Sequence, residues 1–230
     1  MKFKRFTQFS FAALILFTHC ASAQKKLKEG KLLFDITYPE SDLDQQTLAM
    51  MPSESTVFFK EDKSRSEMKM PMGTTVSITD GKKGETTMLM ELMGNKMAIR
   101  VSKDDLEKQQ SKLDASEKPQ VKLTGETKII AGFTCHKASV TTKDKDGKEM
   151  NFDLWYTKEI SAPNSMRSGN YFQGIDGFMM EFQTKLNSLS MKMSCRSAEE
   201  TTVADSLFTI PPGYKLTTMD ELKNSMGGAH

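Results

Sequence analysis

The amino-acid sequence predicts a mainly β (α+β) protein, built on one curved antiparallel sheet of roughly nine to eleven strands with a few helices packed on one side. Three observations predict it. Apolar residues recur at every second position in short segments, Gly, Pro, Asp and Lys punctuate those segments, and only three stretches carry helical spacing.

Leu32, Phe34, Ile36 and Tyr38 share one face of the first segment, with Asp35 and Thr37 on the other. The same alternation sets Met68 and Met70 against Glu67 and Lys69, Val76 and Ile78 against Ser77 and Thr79, and Met88, Met90 and Leu92 against Thr87 and Glu91. It resumes at Met97, Ile99 and Val101, at Val121 and Leu123, at Phe152, Leu154 and Tyr156, and at Phe178, Met180 and Phe182. Leu189, Met191, Met193 and Cys195 close the series. Each segment therefore has one apolar side. Connections such as Asp80-Gly81-Lys82-Lys83-Gly84 and Lys145-Asp146-Gly147-Lys148 hold glycine where a hairpin turn needs positive φ, so neighbouring strands pair as a meander.

Helical spacing occurs where Ser41 can cap a turn carrying Leu43, Thr47 and Met50 before Pro52, from Lys103 to Leu113, and from Thr218 to Met226. Residues 227–230 read as a disordered tail.

The first 23 residues read as a signal peptide. Lys2, Lys4 and Arg5 precede an apolar run from Phe9 to Phe17, followed by Ala21-Ser22-Ala23. That run is about ten residues, half of what a bilayer span needs, so the segment is read as cleaved. Cys20 offers a second reading as a lipidation site, disfavoured by the bulky His19 before it. Residues 24–226 then form a single β domain in the periplasm. Losing three cations takes the formal charge from +2 to about −1, with both signs interspersed. No basic footprint for nucleic acid is left.

The mature chain keeps two cysteines, Cys135 and Cys195. A bridge between them would close a loop of about sixty residues, worth roughly 4 kcal/mol if unstrained. The alternative is two buried thiols.

Catalytic side chains are scarce. Past the leader only His136 and His230 remain, and His136 directly follows Cys135 on a strand, so the two point to opposite faces and make no dyad. No zinc-ligand spacing, phosphate-cradling glycine loop or Gly-x-Ser-x-Gly elbow occurs, and no cofactor is implied. Asp104, Asp105 and Glu107 read as the solvated face of a polar helix.

Methionine departs most from ordinary composition, with 18 residues. Its flexible thioether side chain fills cores or adapts to irregular apolar ligands. Met88, Met90, Met97, Phe178, Met180, Met191 and Met193 are the candidate lining of an apolar cavity. Met68, Met70 and Met72 are an alternative soft-metal set suited to Cu(I).

Four stretches carry a family resemblance: Lys63-Ser64-Arg65-Ser66-Glu67-Met68 after Phe58-Phe59-Lys60, Met93-Gly94-Asn95-Lys96, Ile130-Ala131-Gly132-Phe133-Thr134-Cys135-His136-Lys137, and Leu207-Phe208-Thr209-Ile210-Pro211-Pro212-Gly213-Tyr214. In that order they resemble an exported family of Gram-negative bacteria, domain of unknown function 4412, related to the periplasmic lipoprotein-carrier (LolA-like) fold. The resemblance implies a curved antiparallel half-barrel with helices on its concave side, and supplies no catalytic residues. The chain is thus read as a non-enzymatic, envelope-associated but not transmembrane binder of a lipid or lipoprotein. A Met-based copper handler and a structural envelope protein without a small ligand stand as alternatives.

Overall fold

The computed structural model describes residues 26–39, 41–92, 94–102, 104–105, 119–143, 147–161, 172, 174–186, 189–218 and 221. The leader with Cys20, most of the two helices expected at 103–113 and 218–226, and the tail lie outside the described residues.

Among the described residues twelve strands form one sheet. They are β1 (Glu29–Thr37), β2 (Glu54–Lys60), β3 (Lys63–Met70), β4 (Gly73–Asp80), β5 (Glu85–Leu92), β6 (Asn95–Val101), β7 (Gln120–Ile130), β8 (Phe133–Lys143), β9 (Glu149–Thr157), β10 (Phe178–Leu186), β11 (Leu189–Glu200) and β12 (Lys215–Thr218). Their order is β12-β6-β5-β4-β3-β2-β1-β11-β10-β9-β8-β7. All neighbours are antiparallel except β12, which runs parallel to β6. The sheet is open and curved, and it contains one strand more than the upper expectation.

Tight turns set the registers. In the β7–β8 hairpin Ala131 and Gly132 take φ of 48° and 86°, the two positive values of a type I′ turn, whose twist matches that of the strands. In the β4–β5 connection Asp80 Oδ1 accepts the backbone N–H of Lys82 and of Lys83, both at 3.1 Å.

The sheet bends between β1 and β9. Leu27 N donates to Glu159 O at 2.8 Å and Ser161 N to Leu27 O at 2.7 Å, joining the chain before β1 to the chain after β9. Two strands, β11 and β10, lie between β1 and β9 in the sheet. Were the sheet flat, three strand spacings would hold them about 14 Å apart. The sheet therefore curls back on itself and encloses Leu32, Phe34, Val57, Phe59, Phe178, Met180, Cys135 and Cys195 in one cluster. A bulge in β10 between Met179 and Glu181 aids this by re-aiming side chains. The Phe178 ring thereby packs 6.2 Å from that of Phe34.

We call the face carrying Leu32 and Phe34 inner. Register carries it to Val57 and Phe59 on β2, to Ser64, Ser66 and Met68 on β3, to Thr75 and Ser77 on β4, and to Met88 and Met90 on β5. Val76 and Ile78 pair with Glu67 and Arg65 and so face outward. Each strand has an apolar side, as expected, but these sides do not all turn the same way. A second core consequently lies on the outer face, where Val76, Ile78, Leu89 and Ala98 are buried beneath Phe208 and Tyr214.

The C-terminal segment provides that cover. Lys60 Nζ pairs with Asp205 at 3.0 Å, and Arg65 Nη1 donates to Leu207 O at 3.1 Å, fixing a 3-10 turn at Asp205–Phe208. The apolar anchor is Phe208 with Tyr214, while Ile210 stays 36 % exposed. Beyond Pro211-Pro212-Gly213 the chain enters β12 before any helix.

The helix α1 (Gln45–Ala49) buries none of its residues. Its N-cap is Asp44, whose Oδ1 accepts Thr47 N–H at 2.8 Å, and not Ser41. Ser41 instead donates to Ser190 O and accepts from Ser190 N, at 2.9 and 3.0 Å. It ties the α1 approach to β11.

Candidate functional site

Sheet register gathers part of the methionine set. Ser55, Met68, Thr75, Met90 and Met97 form one row across β2 to β6, and Val57, Ser66, Ser77, Met88 and Ile99 form the next. Directly opposed side chains on neighbouring strands lie on one face within reach of each other. Met68, Met88, Met90 and Met97 thus share the inner face with a band of Ser and Thr hydroxyls. Met88 and Met97 keep 38 % and 37 % of their surface. Large apolar side chains left open together mark a surface able to take an apolar partner.

The other predicted lining residues divide. Met193 pairs with Ile36 and Phe182 on the inner face and packs against the enclosed cluster, and Met191 lies one inner-face position away, opposite Thr184. Phe178 and Met180 are 3 % and 0 % exposed and belong to the core, so they line no accessible site. The β10 bulge shifts the register there, setting Phe178 opposite Thr157 while Phe182 stays opposite Leu154. Of the alternative metal set, Met68 and Met70 lie on β3, whereas Met72 sits in the following turn with 51 % of its surface open.

The bridge considered between Cys135 and Cys195 is not formed, for both are free and buried in the same cluster. Cys135 Sγ donates to Phe133 O and Cys195 Sγ to Ser197 O, at 3.5 and 3.3 Å. Burial pushes the Cys135 thiol up to about 11. Burial, then the neighbouring Cys135, pushes Cys195 up to about 12. Neutral, buried thiols are poor nucleophiles. His136 lies against the Tyr156 ring at 5.7 Å, on the strand face opposite to Cys135.

A concavity that the sequence reading did not single out lies on the outer side of β8 to β11. It has a volume of about 530 Å³, with Ser139, Asn151, Asp153, Glu181, Gln183 and Lys192 as its polar lining and Phe152, Trp155 and Phe182 as its apolar one. Asp153 and Trp155 alternate with Phe152, Leu154 and Tyr156 along β9, so an acid and the chain's one tryptophan share the polar face. That i, i+2 pairing on the face opposite Leu154 is the signal by which sequence alone could have found them, although Trp155 also packs against the enclosed cluster.

Its charges are held internally. Glu181 Oε1 lies 3.0 Å from Lys128 Nζ and 3.4 Å from Lys192 Nζ, and its Oε2 accepts the Ser194 hydroxyl at 3.2 Å. Burial pushes this carboxyl up, but Lys128, Lys192 and Ser194 outweigh it and leave Glu181 below its ordinary value. Asp153 accepts from Ser139 at 2.7 Å and pairs with Lys137 at 3.0 Å. There too burial raises the carboxyl, and the two partners more than reverse it. The Lys128 ammonium stands 4.2 Å from the Trp155 ring centroid.

Fold and faces together define an open, curved antiparallel β protein with an apolar inner face and a polar outer groove. The chain belongs to the family described as Domain of unknown function (DUF4412), whose model matches residues 44–214. No curated protein sequence matches it. Among solved structures it is similar to LprF from Mycobacterium bovis at 13 % identity and TM-score 0.35, over 84 % of this chain and 92 % of that one. It is also similar to the lipoprotein LppX of Mycobacterium tuberculosis at 11 % identity and TM-score 0.40, over 80 % and 92 %. A beta-barrel-like protein of domain of unknown function DUF1849 from Brucella abortus matches at 8 % identity and TM-score 0.31, over 77 % and 100 %. Likenesses at this level carry no argument about function. Among the described residues no helix is long and apolar enough to cross a membrane.

Proposed function

We propose that this is an exported, non-enzymatic protein that holds a hydrophobic ligand, an acyl chain of a lipid or of a lipidated partner, on its inner face. The observation that carries the reading is the register that sets Met68, Met88, Met90 and Met97 side by side, with Met88 and Met97 each more than a third open. Unbranched, polarizable thioethers conform to a flexible chain without a preformed slot. The hydroxyl band from Ser64 to Thr79 would border an ester or amide head. Export rests on the N-terminal leader pattern.

Native mass spectrometry of protein purified from its own cell envelope tests the reading. A co-purifying lipid mass, displaced by a fluorescent fatty acid, is the expected result. A clean apo mass with no fatty-acid binding would refute it. Cu(I) affinity lost in the Met68→Leu, Met70→Leu, Met72→Leu triple variant would instead favour metal handling.

A further inference from the structure

The outer groove offers chemistry quite different from the inner face. We propose that it is a binding site for a neutral saccharide, lying over β9 and β10 around Trp155, Asp153, Glu181, Gln183 and Lys192. Its volume of about 530 Å³ falls in the ordinary range for small-molecule sites, roughly 300–1,000 Å³.

The lining selects by elimination. A fully apolar ligand would strip water from Asp153, Glu181 and Lys192 without replacing its hydrogen bonds, which is costly. A charged ligand would have to take a partner from an existing pair, since Lys128 and Lys192 are held by Glu181 and Lys137 by Asp153. That would leave a half-buried charge uncompensated.

A neutral polyol avoids both costs. Its hydroxyls donate to the remaining lone pairs of Asp153 and Glu181 and accept from the Lys192 ammonium and the Gln183 amide, which spends one bond on Ser190 Oγ at 2.9 Å. Its C–H groups meet the apolar part of the lining, Phe152, Phe182 and Trp155. The Lys128 and Lys137 ammoniums lie over the Trp155 ring, 4.2 and 6.0 Å from its centroid, and neutralise the neighbouring carboxylates. Aromatic surface and balanced hydrogen-bonding groups thus lie within one concavity.

Trp155 is the chain's single tryptophan and lines the groove, so its emission reports on it. The full chain, freed of its leader, is titrated with maltotriose, cellotriose and tri-N-acetylchitotriose and then applied to an array of neutral glycans. Expected is a saturable change of Trp155 emission with at least one glycan, and a Kd weakened roughly tenfold in Asp153→Ala, as for loss of a charge-assisted hydrogen bond. Gln183→Ala gives an independent check should Asp153→Ala fail to fold. No glycan bound on the array and flat emission would overturn the proposal. So would a Kd unchanged in both variants. The methionine face is tested separately by fatty-acid binding, so failure here leaves that reading standing.

Discussion

Replacing Met88 and Met97 together by glutamine separates ligand binding from folding. Full burial of a methionine side chain is worth about 1.5–3 kcal/mol. Since 38 % and 37 % of the two residues remain open, a ligand covering them gains about 0.6–1.1 kcal/mol at each. Loss of both should weaken an acyl ligand by about 1–2 kcal/mol, or roughly 5- to 30-fold in Kd. The open parts contribute little to the core, and glutamine keeps the side-chain length, so thermal stability should change little. The assay is titration of a fluorescent fatty acid, with thermal unfolding run alongside. A Kd within twofold of the parent, at unchanged stability, would refute the assignment of the inner face. A Kd that rose as stability fell would place these side chains in the core.

Three further outcomes are expected. Leu89→Ala, at a site 1 % exposed beneath the C-terminal segment, should cost about 2–5 kcal/mol in urea unfolding, and a cost below about 1 kcal/mol would deny the outer core. Cys135 and Cys195 should resist a thiol reagent at pH 8 until the protein is unfolded. Their folded values, raised to about 11 and about 12 from 9.0, mean that the stability they contribute is whole below pH 9 and lost as pH rises from there toward 11–12, so unfolding monitored across that range should show the decline. Lys128→Ala removes a cation from both Glu181 and the Trp155 ring, so the Glu181 carboxyl should titrate higher by NMR and Trp155 emission should shift; an unmoved carboxyl would mean that Lys192 and Ser194 set it without Lys128.

Much of the fold was legible because period-two alternation survives in a sheet with one buried face per strand. Segments around Leu32, Met88, Phe152 and Met191 all became strands. Alternation says which residues of a strand share a face, but not toward which side of the sheet that face turns. For β4 the choice depended on Phe208 and Tyr214, which arrive from 130 residues downstream to cover Val76 and Ile78. β12 was illegible for another reason: Lys215–Thr218 is short and largely exposed, and only its place beside β6 makes it a strand. The β10 bulge likewise leaves no mark in the string Phe178-Met179-Met180, so Phe178 and Met180 read as lining residues although they are core.

The same limit explains why the methionines were found and the groove was not. A hydrophobic repeat draws attention to the face that is buried, whereas Asp153, Trp155 and Glu181 stand on the faces it leaves over. On β9 the two sets interleave residue by residue: Leu154 belongs to an inner cluster and Trp155 borders the groove. A slip of one residue in β9 would exchange them, placing an acid in the core and a leucine among the charges. Paired registers on both sides forbid it, Ala138 against Leu154 on β8 and Phe182 against Leu154 on β10. The groove is therefore not an accident of loops but follows from the register that builds the core, which is why a ligand at Trp155 would meet a rigid wall.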